Sequence, residues 1–178
     1  VASPNVRVPI KVLFTAERIA IRISELADEI RVAYGEDKPV LVSVLKGSIF
    51  FLADLARALG EGYAMDFMAV SSYKGSKSSG EIKINMDLAT PIEGRNVLLV
   101  EDIVDTGVTL NSLADILEAR RPASLKVVSL LFKPEAYVGA RSIDFIGFRI
   151  PPHFVVGYGM DIDEDFRNLP YVGIVQTD

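Results

Sequence analysis

Three short runs of almost unbroken aliphatic residues constrain the fold of this chain more than any other feature: VLVSVL (40–45), NVLLVEDI (96–103) and SLKVVSLLF (124–132). A strand with one wet face alternates apolar and polar residues, whereas a strand covered on both faces reads as a near-continuous apolar run. Segments of helical period separate these runs. From Thr15 to Gly35 the residues Ile19, Ile23, Leu26 and Ile30 share one face, with Thr15 suited to cap the start and Gly35 the end. IFFLADLARALG (49–60) predicts a helix closing at Gly60, and a further helix directs Leu110, Leu113, Ile116 and Leu117 inward. This alternation predicts an α/β fold with a parallel, mostly buried sheet and helices on its faces. YAMDFMAVSSY (63–73) predicts another strand, and shorter ones are expected around 143–148, 154–157 and 171–175. Residues 1–14 carry two prolines and read as an irregular lead-in, and KGSKSSGE (74–81) as a mobile loop. No repeat or linker divides the 178 residues, so one domain spanning 1–178 is expected.

Charge and composition exclude several kinds of function. The formal net charge of −5 disfavours binding along a nucleic-acid backbone, which needs a concentrated basic surface, but permits a small anion held by a few local cations. The chain has no Cys, hence no disulfide, thiolate nucleophile or thiolate metal site. No apolar run reaches the roughly 18 residues of a membrane span, and no basic-then-apolar pattern of a signal peptide opens the chain. A soluble protein of the cytoplasm, with no membrane partner, is expected.

The segment VLLVEDIVDTGVTL (97–110) carries the strongest chemical signal. In open α/β sheets, ligands gather beyond the C-terminal ends of the strands. Glu101 and Asp102 sit at such an end, and Asp105-Thr106-Gly107-Val108-Thr109 forms the turn into a helix. Free amides at a helix N-terminus, with Thr hydroxyls beside them, hold a phosphate, and Gly107 permits close approach of the backbone. Three carboxylates would repel a bare phosphate. The combination suits a ligand with a phosphate at one end and hydroxyls or a bound cation at the other. Asp, Thr and Gly are equally ordinary capping and turn residues. Adjacent carboxylates on a buried strand end are harder to dismiss, because they need partners.

Other residues carry two readings each. Lys46-Gly47, after the first apolar run, is by itself an ordinary strand-to-helix turn. Lys133 reads as a solvated strand-end lysine and Phe154 as core. His153 is the only His and cannot make a metal cluster. DIDEDFRN (161–168) looks calcium-like, but Phe166 stands where a calcium loop needs Gly, so a solvated acidic turn is the better reading.

VLLVEDIVDTGVTL strongly resembles the phosphoribosyl-pyrophosphate motif of the type I phosphoribosyltransferases. LVSVLKGSIFFLADL (41–55) resembles the pyrophosphate-side loop of their hypoxanthine-guanine branch, and SSYKGSKSSGEIKI (71–84) its flexible catalytic loop. LLFKPEA (130–136) and PPHFVVGYGMDIDEDFRNLPYVG (151–173) resemble its purine-binding region. The resemblance covers roughly residues 10–175. It implies the type I phosphoribosyltransferase fold, with a small hood subdomain from the terminal segments. It implies purine salvage: transfer of 5-phosphoribosyl from phosphoribosyl pyrophosphate to hypoxanthine or guanine, giving IMP or GMP and pyrophosphate, with Mg²⁺ as cofactor.

Residue by residue, the resemblance implies that Glu101, Asp102, Asp105, Thr106, Gly107, Val108 and Thr109 bind the phosphoribosyl group, with Asp105 as the catalytic base. Lys46, Gly47, Ser72, Tyr73 and Arg167 are implied at the pyrophosphate, and Lys133, Phe154, Val155 and Asp161 at the purine. Lys133 would donate to the 6-oxo group, Phe154 would stack on the ring, and Glu101, Asp102 and Asp161 would serve the metal. The Leu45-Lys46 peptide can be cis in the family. Val108 and His153 stand where many relatives have Lys, and neither change removes a residue the chemistry requires. Relatives form dimers and tetramers, so a homo-oligomer is expected. The alternatives are a xanthine- or pyrimidine-preferring transferase, and a non-enzymatic regulator that senses phosphoribosyl pyrophosphate while binding nucleic acid.

Overall fold

The structure, a computed structural model, describes residues 9–72 and 82–176. The predicted loop 74–81 and Tyr73 lie outside the described residues, and so does the side chain of Ser72. In chain order the elements are β1 (Ile10–Phe14), α1 (Ala16–Tyr34), β2 (Val40–Leu45), α2 (Ile49–Leu59), β3 (Met65–Ser72) and β4 (Ile82–Met86). Then follow β5 (Asn96–Val104), α3 (Val108–Glu118), β6 (Ser124–Phe132), β7 (Phe145–Arg149), β8 (Val155–Val156) and β9 (Val172–Val175).

Six strands form one sheet in the order β4-β3-β2-β5-β6-β7, parallel except for β4. The apolar strand runs serve two cores at once. In β5, Leu98 and Val100 point into the core under α1 and α2, while Val97 and Leu99 point into the one under α3. That alternation requires every residue to be apolar, which is why these strands read as unbroken runs. α1 buries Ile19, Ile23, Leu26, Ala27 and Ile30; Thr15 caps it by accepting from the Arg18 amide, and Gly35 ends it.

β1, β9 and β8 make a second, antiparallel sheet, the small hood expected from the terminal segments. Two local expectations are corrected. Ile10–Phe14 is a strand rather than irregular lead-in, because its partner is Val172–Val175 at the far end of the chain. Ile82–Met86, which no strand signal marked, is an antiparallel edge strand whose Ile82 and Ile84 pack against the α3-side core.

Asp66 is a buried carboxylate that joins β3 to the segment leading into β5. Its oxygens accept from the amides of Phe67 (2.8 Å), Ala89 (3.2 Å) and Thr90 (2.8 Å). Burial raises its proton affinity, but the amides of Phe67, Thr90 and Ala89 outweigh that and hold the carboxyl below its usual range. Asp66→Ala strands these amides and is expected to cost about 1–3 kcal/mol in urea unfolding. Because the folded-state value is lowered, this contribution is present above the ordinary 3.8 and fades as pH falls through the lowered value. A variant as stable as the parent at pH 7 would contradict this role.

Candidate active site at the ends of β2 and β5

β2 has β3 on one side and β5 on the other, so the chain reverses its direction of progress across the sheet there. Such a reversal opens a crevice at the strand ends. Lys46-Gly47-Ser48 leaves β2 and Asp105-Thr106-Gly107 leaves β5, so both predicted loops meet at this crevice. The Leu45-Lys46 peptide is cis. Ser48 pins the first loop from below, with its hydroxyl 2.6 Å from that of Ser43 and donating to the Val44 carbonyl. A Cβ on Gly47 would stand 1.9 Å from the Asp102 carboxylate, so only glycine lets the loop lie against that group.

The β5 loop forms a cleft of about 240 Å³, lined by Glu101 through Gly107 together with Thr109 and Leu110. Gly107, with φ 81°, is the N-cap of α3 and has no side chain of its own to cap that helix. The amide end therefore stays open to a ligand. The Thr106 hydroxyl accepts a long 3.4 Å bond from the Val108 amide. Gly107 has a further reason to be glycine. Its missing Cβ points at Tyr137, whose ring would be 2.2 Å away, so its smallness also serves packing from behind. Tyr137 in turn lies edge-on to Phe132 and donates to the Arg141 carbonyl at 2.6 Å. No sequence signal singled out this buttress. Val108 is exposed, at the start of α3.

A second cleft, about 250 Å³, adjoins the first and is lined by Asp102, Ile103, Asp105, Lys133, Phe154, Val155, Met160 and Asp161. All four residues predicted for the purine are therefore in one place. Lys133 is buried rather than solvated, because its amide bonds the Val104 carbonyl and draws it beside β5. Its ammonium donates to Asp105 at 2.7 Å. Phe154 is 58 % exposed, which makes it a cleft wall and not core. His153 is exposed on the adjoining turn.

Arg167 approaches from the loop after β8. It donates to the Gly159 carbonyl at 2.7 Å and pairs with Asp161 at 2.9 Å. A Cβ on Gly159 would lie 1.8 Å from the Gly47 carbonyl, so the Arg167 loop rests directly on the Lys46-Gly47 loop. Nothing in the local sequence announces that contact.

Burial pushes Glu101 well above the ordinary carboxylate range, and the neighbouring Asp102 charge adds to the effect. Burial also raises Asp102, against the lowering by its own and the Ile103 amide and by the Arg167 charge; Asp161 adds to the rise. The Glu101 carboxylate makes no hydrogen bond or ion pair among the described residues, so a cation beside this pair would favour its ionised form. Yet Glu101, Asp102 and Asp161 do not form one ligand set: among the described residues no group of three acidic or His side chains is placed to hold a metal. A larger groove of about 480 Å³ beside α1 and α2 is mostly apolar, with Asp54, Tyr158 and Asn168 as its polar side chains and Asp54 already hydrogen-bonded by Tyr158 at 2.6 Å. The chemistry is concentrated at the two clefts.

Residues 10–163 match the phosphoribosyl transferase domain family. A hypoxanthine-guanine phosphoribosyltransferase from Bacillus subtilis is 45 % identical over 167 residues, 93 % of each chain. The crystal structure of a hypoxanthine phosphoribosyltransferase from Staphylococcus aureus is 41 % identical, covers 93 % of this chain and 92 % of its own, and superposes with a TM-score of 0.88. A Trypanosoma cruzi hypoxanthine phosphoribosyl transferase, solved to study how its C-terminal region affects oligomeric state and activity, is 42 % identical, covers 98 % of this chain and 95 % of its own, and gives a TM-score of 0.90.

Proposed function

The chain belongs to the hypoxanthine-guanine phosphoribosyltransferase family, and on that premise we propose that it transfers 5-phosphoribosyl from phosphoribosyl pyrophosphate to hypoxanthine or guanine. The observation that carries this reading is the buried ammonium of Lys133, held at 2.7 Å from Asp105 in the cleft walled by Phe154. An ammonium has three donors and no acceptor, so it bonds Asp105 and a 6-oxo group together but meets only donors at a 6-amino group.

In the reaction, a purine ring nitrogen forms a bond to ribose C1 as the bond from C1 to the pyrophosphate oxygen breaks. The amides and hydroxyls of Thr106, Gly107, Val108 and Thr109 hold the 5-phosphate at the open end of α3. Asp105 takes the proton from the purine, and Lys133 fixes the direction of that carboxylate. Lys46, Gly47 and Arg167 receive the pyrophosphate, with Ser72 and Tyr73 on the approach to the 74–81 loop. Val155 and Asp161 border the base. Glu101 and Asp102 would hold Mg²⁺, directly or through water and jointly with substrate oxygens, where it neutralises the leaving pyrophosphate. Positive charge developing on the ribose is favoured beside the same two carboxylates.

The protein acts as one domain over 1–178 and as a homo-oligomer, dimer or tetramer; the exposed Ile49, Phe50 and Met65 around α2 and β3 favour self-association. A cytoplasmic setting fits the substrates, and no helix among the described residues is long and apolar enough to cross a membrane.

Lys133→Ala tests the reading. Charge-assisted bonds contribute roughly 1.5–3 kcal/mol, so efficiency with hypoxanthine and guanine should fall about 10–100-fold. Affinity for phosphoribosyl pyrophosphate should change far less, and Lys133→Gln should restore part of the loss. Steady-state assays with hypoxanthine, guanine, xanthine, adenine and uracil rank the substrates. An unchanged purine profile in Lys133→Ala would place base selection elsewhere.

A further inference from the structure

One oxygen of Glu164 holds both side-chain cations assigned to the pyrophosphate. Its Oε2 accepts from Lys46 at 3.0 Å, and from Arg167 Nη2 at 3.3 Å and Nε at 3.4 Å. Glu164 is the only partner of the Lys46 ammonium among the described residues. Arg167 is anchored separately by Asp161 and the Gly159 carbonyl. Hydrogen bonding from Lys46, helped by the Lys46 and Arg167 charges, keeps the Glu164 carboxyl below its usual range and so ionised.

The backbone places this carboxylate with care. Ile162 and Asp165 form a two-way bridge, with Asp163 at φ 50° and Glu164 at φ 70° between them. Two successive left-handed residues are the mark of a type I′ turn, where Gly, Asn and Asp predominate. Glu is a poor local choice there, so backbone preference does not account for it, whereas its side chain spans two loops. The Glu164 amide donates to Asp161 at 2.9 Å, which keeps the turn beside the cleft.

Taking Lys46 and Arg167 as pyrophosphate ligands, as read above, we propose that Glu164 is a placeholder for pyrophosphate. It occupies both cations in the open site, yields to the incoming diphosphate, and retakes them as pyrophosphate leaves. The exchange is easy in both directions because the Lys46 and Glu164 side chains are 65 % and 63 % exposed, and exposed ion pairs are weak. Both cations already converge on one oxygen of Glu164, so one phosphate oxygen of the diphosphate can take its place between them. Glu164 thus sets affinity at the subsite without touching the reacting atoms, which makes it a positioning residue.

The test is calorimetric titration of the parent, Glu164→Gln, Glu164→Ala and Lys46→Ala with inorganic pyrophosphate and Mg²⁺. Removing the competing carboxylate should tighten pyrophosphate binding by about threefold to tenfold in both Glu164 variants, the worth of one or two exposed pairs. It should also lower KM for phosphoribosyl pyrophosphate without raising kcat. In a Lys46→Ala background the gain from Glu164→Gln should shrink, an outcome a purely structural role does not produce. Unchanged or weaker pyrophosphate binding in both Glu164 variants, with Lys46→Ala still impaired, overturns the placeholder alone. Parent-like pyrophosphate binding by Lys46→Ala overturns the subsite reading and the placeholder with it.

Discussion

Asp105→Asn is expected to lower turnover by about 10²–10⁴-fold, the usual loss on removing a general base, with little change in affinity for phosphoribosyl pyrophosphate. Asp105 lines both clefts, placing its carboxylate where the two adjoin. Glu101 and Asp102 are less suited to the proton transfer. Asp102 lies against the Gly47 loop, and Glu101 lines only the cleft of the β5 loop. Asp105 is half-exposed and aimed by Lys133. The amide oxygen of Asn still accepts the Lys133 bond, so the pocket keeps its shape and loses only the proton acceptor. Pre-steady-state turnover beside equilibrium binding separates the two effects. Parent-like turnover removes Asp105 from the role, and equal losses in binding and turnover make it a ligand residue instead.

Excess chelator is expected to abolish turnover, and added Mg²⁺ to restore it. The physical ground is the pair Glu101 and Asp102, both raised in proton affinity by burial, with Glu101 lacking any described donor. Since no described triad of ligands exists, the free protein should bind Mg²⁺ weakly. Binding should strengthen when phosphoribosyl pyrophosphate supplies further oxygens, as suits an ion that keeps several waters and takes one or two carboxylates. Titration of Mg²⁺ with and without phosphoribosyl pyrophosphate reads this coupling independently of activity. Full turnover in excess chelator, or equal Mg²⁺ affinity in both titrations, contradicts the assignment.

Lys133 shows where local reading fails. Its sequence neighbourhood, a strand end followed by Pro, is that of a solvated lysine. Only the bond from its amide to the Val104 carbonyl brings it beside Asp105, 28 positions away in the chain. Phe154 errs the other way, reading as core before Val-Val yet standing exposed as a wall of the base cleft. In both cases burial follows from packing between loops, which neighbouring residues do not encode. Resemblance to the family assigned both residues to one site, and the structure brings both to the lining of one cleft.

The sequence by itself determined the layers of this protein. Short, almost unbroken apolar runs mark strands covered on both faces, and the helical stripes between them cover those faces, so the parallel sheet followed. It also determined the VEDIVDTGVT stretch as a strand end leading into a helix, because the sharp change from aliphatic to acidic and small residues is local. Tertiary structure alone decided the hood pairing of β1 with β9 and the seating of Gly159 on Gly47. It alone decided the buttress of Tyr137 behind Gly107, and the meeting of Lys46, Glu164 and Arg167. Each of these joins residues distant in the chain or sets a left-handed turn against local preference. Their free energy comes from contacts that exist only once the sheet has brought the strand ends together.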